Sequence, residues 1–191
     1  MPDLMPVFLN VARRRVVLVG GGRVAVAKLP ALLSAGAVVT VVAPDVREEI
    51  LRSPVDVLHR AFERTDLDGA WLVVAAATSS VNAAVARAAE ERRVFVNAVD
   101  DPANASAFLG GVVRRDGVTI AISTSGDAPA LSGLLREALD AVLPQELGEW
   151  VHEARRQRAV WRRSSVPMEK RRPLLLDALN RLYRRPEHSW P

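Results

Sequence analysis

The sequence predicts an α/β fold: a parallel sheet, followed by a small α+β region and then a helical C-terminal region. Three observations support this prediction. Short β-branched runs alternate with helical patterns up to residue 98, and a glycine turn joins the first run to the first helical pattern. After residue 100 the pattern changes to two β-rich runs and then to helices. We therefore predict three regions, at residues 1–110, 111–143 and 144–191.

The pattern of the first region predicts a series of β-α-β units. Its continuous apolar runs are typical of a parallel sheet that helices cover on both faces. Pro30 lies inside the first helical pattern and removes a backbone donor, so we expect a kink there. The predicted strands lie at residues 16–19, 38–43, 55–59, 71–76 and 94–98, and the predicted helices at 24–34 and 81–92.

The second region begins with β-rich runs at 111–114 and 118–123. Asp116-Gly117 joins them, and this dipeptide is a common hairpin turn, so we predict antiparallel strands. A helix at 130–142 follows, with Pro129 in its first turn. The apolar stripe of this helix indicates core packing or a subunit interface. From residue 144 onward the sequence is polar and helical, with one predicted break at 164–167.

Composition excludes several classes of site. The chain has no cysteine, which excludes disulfides, thiolate zinc sites and cysteine nucleophiles. Its three histidines are far apart in sequence, and we predict no metal site. No apolar run approaches the length of about 20 residues that a membrane helix needs, and the N-terminus lacks a basic signal segment. We therefore expect a cytoplasmic protein with no membrane partner.

Charge is distributed unevenly along the chain. The formal net charge of the protein is +4, with −3 on residues 1–150 and +7 on residues 151–191. A basic segment of this kind can bind a polyanion, either nucleic acid or a polycarboxylate metabolite, or can simply form a solvated helical face. Aromatic residues are too sparse in it for the base stacking typical of a nucleic-acid arm, and we predict no nucleic-acid partner.

Residues 16–25 carry the most informative motif, a β-branched run that enters a glycine turn and continues directly into a helix. Gly20 allows the tight turn, Gly22 lets a pyrophosphate approach the backbone, and Ala25 lets the helix pack closely on its strand. The pattern indicates a Rossmann-type dinucleotide site. A buried strand, turn and helix without a ligand would need some of the same small residues.

The residue types alone do not distinguish NAD from NADP as the bound dinucleotide. A site for NAD usually has an acidic residue at the end of the second strand, where it binds the ribose hydroxyls. The nearest acid here is Asp45, directly after Pro44, and it either serves the ribose or begins the next turn. Arg23 and Arg47 leave room for a phosphorylated cofactor.

Two adjacent carboxylates follow the fifth predicted strand. Asp100 and Asp101 stand where ligands collect in open α/β sheets, and neighbouring acids can have pKa values that leave one of them a usable base. Asp-Asp-Pro is also an ordinary turn sequence. A base and a structural turn are therefore both possible interpretations of these residues.

Taken together, the motifs resemble the precorrin-2 dehydrogenase family, the N-terminal module of siroheme synthases. The resemblance covers residues 5–150 through motifs and the tail through its helical pattern. The motifs, in order, are Gly20-Gly-Gly-Arg-Val-Ala25 with Lys28, Ala35-Gly-Ala37, Val39-Thr-Val-Val-Ala-Pro44, residues 75–78 with Asn82, Val96-Asn-Ala-Val-Asp-Asp-Pro102, Ala121-Ile-Ser-Thr124, Pro129-Ala-Leu131 and Leu134-Leu-Arg-Glu137.

The resemblance implies an NAD-dependent oxidation of precorrin-2 to sirohydrochlorin. In some members of the family, insertion of ferrous iron follows. It also implies a homodimer whose dimerisation region corresponds to residues 111–143, and uroporphyrinogen methylation by another protein. The family's essential aspartate corresponds to Asp100. The implied cofactor contacts are Gly22, Arg23, Val24, Pro44, Asp45 and Thr78.

A carboxylate-rich tetrapyrrole also suits the basic tail, because arginines bind carboxylates in a bidentate manner. With the resemblance in place, we assign substrate binding to Ser123 and Thr124 and to Arg155, Arg156 and Arg158. The rival hypothesis is a non-catalytic dinucleotide-sensing regulator whose basic tail binds a partner. It predicts NAD binding without turnover.

Overall fold

The computed structural model describes residues 4–183. Backbone contacts divide the chain into two compact units. The first contains the residues up to Gly110 together with Ser123–Pro129, and the second contains Gly111–Ile122 and the chain from Ala130 onward. The three-region division, with a separate dimerisation region at 111–143, stays a prediction.

The first unit is built on a five-stranded parallel sheet of order β3-β2-β1-β4-β5. This order has a crossover between β1 and β4, so the ends of these two strands open a crevice at the carboxyl edge, where ligands bind in such sheets. The strands are β1 (Arg15–Val19), β2 (Val38–Val42), β3 (Asp56–Leu58), β4 (Leu72–Ala75) and β5 (Phe95–Ala98). The helices are α1 (Arg23–Ser34), α2 (Glu48–Leu51) and α3 (Ser79–Arg92).

Strands β1 and β4 are buried on both faces because helices cover the sheet from both sides. Val17 and Val73 pack in the core cluster that includes α3. Leu18 and Val74 pack in the opposite cluster with Leu29 of α1. Successive strand residues point to opposite faces, so a run of apolar residues fills both layers.

The predicted α/β class with a parallel sheet is therefore confirmed. Each predicted strand and helix of this unit is present, with ends that differ by one or two residues. Helix α1 continues through Pro30. The single-turn helix α2 and the two short 3₁₀ turns, at Arg64–Leu67 and Pro102–Asn104, were not predicted from the sequence.

The second unit contains an antiparallel hairpin and three helices. Gly111 pairs with Ile122, and the turn residues Asp116 and Gly117 both have positive φ, 48° and 87°. This conformation is required at both positions of a type I′ turn, so Asp-Gly forms the predicted hairpin. The elements are β6 (Gly111–Arg115), β7 (Val118–Ile122), α4 (Pro129–Val142), α5 (Leu147–Arg163) and α6 (Met168–Tyr183), so the helical break falls at residues 164–167 as predicted.

Among residues 4–183, no helix combines the length and the apolar composition needed to cross a membrane.

Candidate dinucleotide site

A cleft of about 360 Å³ lies at the carboxyl edge of the sheet in the first unit. It is lined from three directions. Val24 comes from the first turn of α1, Ala76, Ala77, Ser79 and Asn82 come from the end of β4 and the start of α3, and Val99, Asp100 and Asp101 follow β5. The structure thus brings the helix after the glycine turn and the predicted acidic pair to one cavity.

The first two glycines of the turn are required by close packing. Gly20 has φ of +121°, and a Cβ there would lie 2.4 Å from the carbonyl oxygen of Ala76. A Cβ on Gly21 would lie 2.0 Å from the carbonyl oxygen of Asp45. The turn therefore fits tightly between the loops that follow β4 and β2. The motif alone does not indicate this role of Gly21, because its contact is made by a loop distant in sequence.

Gly22 differs from these two glycines because a Cβ there would meet no protein atom within 4 Å. It is the N-cap of α1, with no side-chain cap, and the first turn of the helix has no acidic residue. The first N–H groups of a helix have no partner within the helix and carry the positive end of its dipole. This open position with free donors fits the pyrophosphate of a dinucleotide. Arg23 lies exposed beside it.

The loop after β2 packs on the glycine turn. The backbone N–H of Arg47 donates to the carbonyl oxygen of Gly21 at 3.0 Å. Pro44 and Asp45 are both exposed, two and three residues beyond the end of β2. The Arg47 guanidinium pairs with Glu49 at 3.2 Å. This pairing was not predicted from the sequence.

Thr78 and Asn82 organise the loop after β4. Thr78 is the N-cap of α3, and its hydroxyl is 3.2 Å from the hydroxyl of Ser80. The Asn82 side chain is 3% exposed, and its Oδ1 accepts the backbone N–H of Ala77 at 3.1 Å. Asn82 therefore fixes the loop that forms one wall of the cleft. Asn82 is named above with the motif of residues 75–78, but the sequence gives no sign of the contact that it makes there.

The two adjacent acids have different surroundings. Asp101 Oδ2 accepts a hydrogen bond from Asn104 Nδ2 at 2.8 Å, and Asp101 is the N-cap of the 3₁₀ turn that begins at Pro102. Asp100 is exposed and has φ of 55°, a left-handed conformation that aspartate tolerates better than most residues. Asp101 is thus engaged in the turn, while Asp100 lines the cleft without a hydrogen-bond partner among the described residues.

The segment after the acidic turn returns along the edge strand β5. Ser106 and Ala107 both donate their backbone N–H to the carbonyl oxygen of Val96 at 2.9 Å. The Ser106 hydroxyl accepts the backbone N–H of Val96, and Asn97 Nδ2 donates to the carbonyl oxygen of Ala107. These contacts anchor both ends of the segment that carries the acids.

Ser123 and Thr124 begin a turn in the first unit. The Ser123 hydroxyl accepts the backbone N–H of Ser125, and the Thr124 hydroxyl accepts that of Ala128. A Cβ on Gly126 of this turn would lie 2.9 Å from Pro102, so the turn packs against the segment that follows Asp101. Both predicted substrate residues therefore belong to a turn adjoining the acidic segment.

The three tail arginines lie in α5 of the second unit and have different contacts. The Arg156 guanidinium donates two hydrogen bonds, at 2.8 and 2.9 Å, to Glu153, a residue that is 6% exposed. These bonds and one from Gln157 lower the pKa of Glu153. Arg155 and Arg158 are exposed and three residues apart, so they lie on one helix face.

Strand, glycine turn and helix, with an anion-accepting position at the carboxyl edge of a parallel sheet, define a Rossmann-type dinucleotide-binding protein. Residues 7–111 match the family described as "Putative NAD(P)-binding", and the chain belongs to this family.

Curated relatives extend the similarity beyond this domain. The chain is 43% identical to siroheme synthase 3 of Aeromonas hydrophila over 151 residues, which are 76% of this chain and 32% of the relative. It is 39% identical to the siroheme synthase of Citrobacter koseri, over 89% of this chain and 38% of the relative. The match to the siroheme synthase of Zymomonas mobilis is 34% identical and covers 95% of this chain and 40% of the relative.

These matches confirm the resemblance to the siroheme synthase family. The chain spans about a third to two fifths of the length of the relatives it matches. Among solved structures, "SirC, precorrin-2 dehydrogenase" has a similar fold, with a TM-score of 0.71 and 24% identity, over 91% of this chain and 88% of that one.

Proposed function

We propose that this protein is an NAD-dependent dehydrogenase that oxidises precorrin-2 to sirohydrochlorin. One observation carries the proposal. The cleft that begins at the glycine-turn helix, through Val24, also contains Asp100, so a bound cofactor and a carboxylate base would share one cavity. The curated relatives are named for the synthesis of siroheme, and the similar SirC structure is named for precorrin-2, so these names support the proposed substrate.

The reaction removes two hydrogens from the macrocycle as a hydride and a proton. When NAD is bound, its nicotinamide supplies the hydride acceptor. Asp100 accepts the proton on its carboxylate, for which its position in the cleft and its lack of a described hydrogen-bond partner suit it. Asp101 is held by Asn104 and acts as a positioning residue for the turn.

We infer the cofactor contacts from the same geometry. Gly20 forms the tight turn, Gly22 leaves space for the pyrophosphate, and Arg23 and Val24 provide the first N–H groups of α1 for it. We infer that Asp45, after Pro44, binds the ribose and that Thr78 lies beside the cofactor at the start of α3. An acid at this position favours NAD over NADP.

We assign the carboxylates of the substrate to Ser123 and Thr124 and to the exposed arginines of α5. The net charge of +7 on residues 151–191 supports the second group. Arg156 is already paired with Glu153, so Arg155 and Arg158 are the stronger candidates of the three.

We also infer a homodimer that acts in the cytoplasm. Helix α4 supports the dimer, because Leu131, Leu134, Leu135 and Val142 form an apolar stripe whose members are 41% to 73% exposed in the chain described. Light scattering at micromolar concentration tests this. A stable, fully active monomer of 20.8 kDa would contradict it.

An anaerobic absorbance time course with precorrin-2 and NAD tests the activity. We expect Asp100→Asn to lower the rate by about 10²–10⁴-fold, the usual contribution of a general base, with nearly unchanged NAD affinity. Asp101→Asn is the matched control and should matter less. Near-wild-type oxidation by Asp100→Asn would remove the base assignment, and NAD binding without turnover by the wild-type protein would favour the regulator hypothesis.

Addition of ferrous iron after the oxidation tests a second activity, because the relatives are named for siroheme, the iron-containing product. Iron is a substrate in this step. If Asp100→Asn abolishes both steps, one carboxylate accepts protons from the macrocycle in each of them. Iron insertion that survives in Asp100→Asn would assign the second step to other groups.

A further inference from the structure

The loop between β2 and α2 is fixed to the glycine turn at two points. Arg47 donates its backbone N–H to the Gly21 carbonyl oxygen, and the Asp45 carbonyl oxygen approaches Gly21 so closely that no Cβ fits between them. In dinucleotide-binding folds, the end of the second strand faces the adenosine ribose, while the glycine turn holds the pyrophosphate. The side chains of this loop therefore decide which 2′ substituent is accepted.

Two of these side chains have opposite effects. Asp45 is exposed and suits a ribose with free hydroxyls. Arg47 is a cation of the type that binds a 2′-phosphate. The preference depends on whether the Arg47 guanidinium is available to a ligand.

Arg47 is engaged by Glu49 in the structure. Its Nη2 and Nε donate to the two carboxylate oxygens of Glu49, at 3.2 and 3.3 Å. Hydrogen bonding with its own backbone amide and with Arg47 lowers the pKa of Glu49, so this carboxylate is ionised at neutral pH. Residues 45–52 carry a formal net charge of −1, which is unfavourable for a 2′-phosphate.

We propose that Glu49 is a specificity-determining residue that keeps Arg47 from binding a 2′-phosphate and thereby favours NAD over NADP. This inference rests on the proposed function, because it requires a dinucleotide at the glycine turn. Glu49 acts through Arg47 and does not itself contact the cofactor.

The neighbouring residue provides a matched control. Glu48 is also exposed and forms a pair at 3.1 Å, but its partner is Arg52, one helical turn further on. Glu48→Gln and Glu49→Gln therefore remove the same formal charge from adjacent positions. Only Glu49→Gln releases Arg47.

The test measures the dissociation constants of NADH and NADPH by their fluorescence, with thermal shift as a second readout. We expect Glu49→Gln to improve the affinity for NADPH relative to NADH by about two- to fivefold, the size of an exposed ion pair that no longer competes for Arg47. Glu48→Gln should change this ratio much less. In the double variant with Arg47→Ala, the gain should disappear.

The possible results distinguish the role of Glu49 from the existence of the dinucleotide site. If Glu49→Gln changes the ratio no more than Glu48→Gln does, or if its gain survives Arg47→Ala, the assignment of Glu49 is wrong while the dinucleotide site stands. If the wild-type protein binds neither NADH nor NADPH, the proposed function fails and this inference fails with it.

Discussion

Gly22 permits an experiment that separates cofactor binding from folding. Its φ of −86° and ψ of −170° are ordinary N-cap values, it has no side-chain cap, and a Cβ there would meet no protein atom. Aspartate is among the preferred N-cap residues, and a negative charge at a helix N-terminus is favourable. We therefore expect Gly22→Asp to fold and to gain about 0.5–1 kcal/mol of stability, seen as a Tm higher by about 1–3 °C.

The same substitution should abolish cofactor binding. The new carboxylate accepts hydrogen bonds from the N–H groups that the pyrophosphate needs, and it repels that anion. Two unit charges about 4 Å apart interact by about 4 kcal/mol at an effective dielectric constant of about 20, which corresponds to about 10³-fold weaker binding. Titration of NADH fluorescence, beside thermal unfolding of the same sample, measures both effects.

Two further variants make the test specific. Gly22→Asn caps the helix without the charge, so it should weaken NADH binding less than Gly22→Asp does. Gly21→Ala should instead lower the Tm, because its Cβ would lie 2.0 Å from the Asp45 carbonyl oxygen. A folded Gly22→Asp protein with wild-type affinity for NADH would refute the assignment of the glycine turn as the pyrophosphate site.

Two further predictions concern the substrate arginines of α5 and the acid stability of the first unit. Replacing Arg155 and Arg158 together with alanine should raise the KM for precorrin-2 and weaken its salt dependence, whereas Arg156→Gln should lower the Tm with little change in KM, because it removes a partner of the buried Glu153. Equal KM values in steady-state assays of all three proteins would contradict this. Burial would raise the pKa of Asp66, but hydrogen bonds from Arg60 and from the Glu63 backbone N–H hold it below its ordinary value of 3.8. This carboxylate therefore stabilises the fold fully above that pH and loses its effect as the pH falls through the lower, folded value. We expect Asp66→Asn to lower the Tm at pH 7 and to flatten its decline in acid, and a parallel decline in both proteins would count against this role for Asp66.

Strong periodic patterns predicted most of the fold. Strands β1, β2 and β4 are continuous apolar runs because both faces of the sheet are covered, and this signal is visible without a structure. Strand β3 is shorter than predicted, because it pairs on only one side, with β2. Helix α2 and the 3₁₀ turns contain only three or four residues each, which is too few for a periodic pattern to be recognised.

The candidate site was less predictable, because its geometry depends on contacts between distant segments. Gly20 could be assigned to the tight turn from the motif, but the role of Gly21 depends on the Asp45 loop. Asn82 belongs to a motif of the family, but the pattern of its alanine-rich helix does not indicate that its side chain is buried and accepts the Ala77 N–H. The position of Asp101 before Pro102 does favour the turn for that residue, and the hydrogen bond from Asn104 agrees with it. The left-handed conformation of Asp100, by contrast, has no local sequence signal.

The return of residues 106 and 107 along β5 has a consequence for the integrity of the sheet. An edge strand with unpaired backbone groups is a template for pairing with another chain, and here the protein covers part of that edge with its own backbone at Val96. The covering segment is the continuation of the acidic turn. Proteolytic cleavage within residues 100–107 would therefore displace the candidate base and would also expose the edge of β5 to pairing with other chains. We expect a single cleavage in this segment to cause both loss of activity and aggregation.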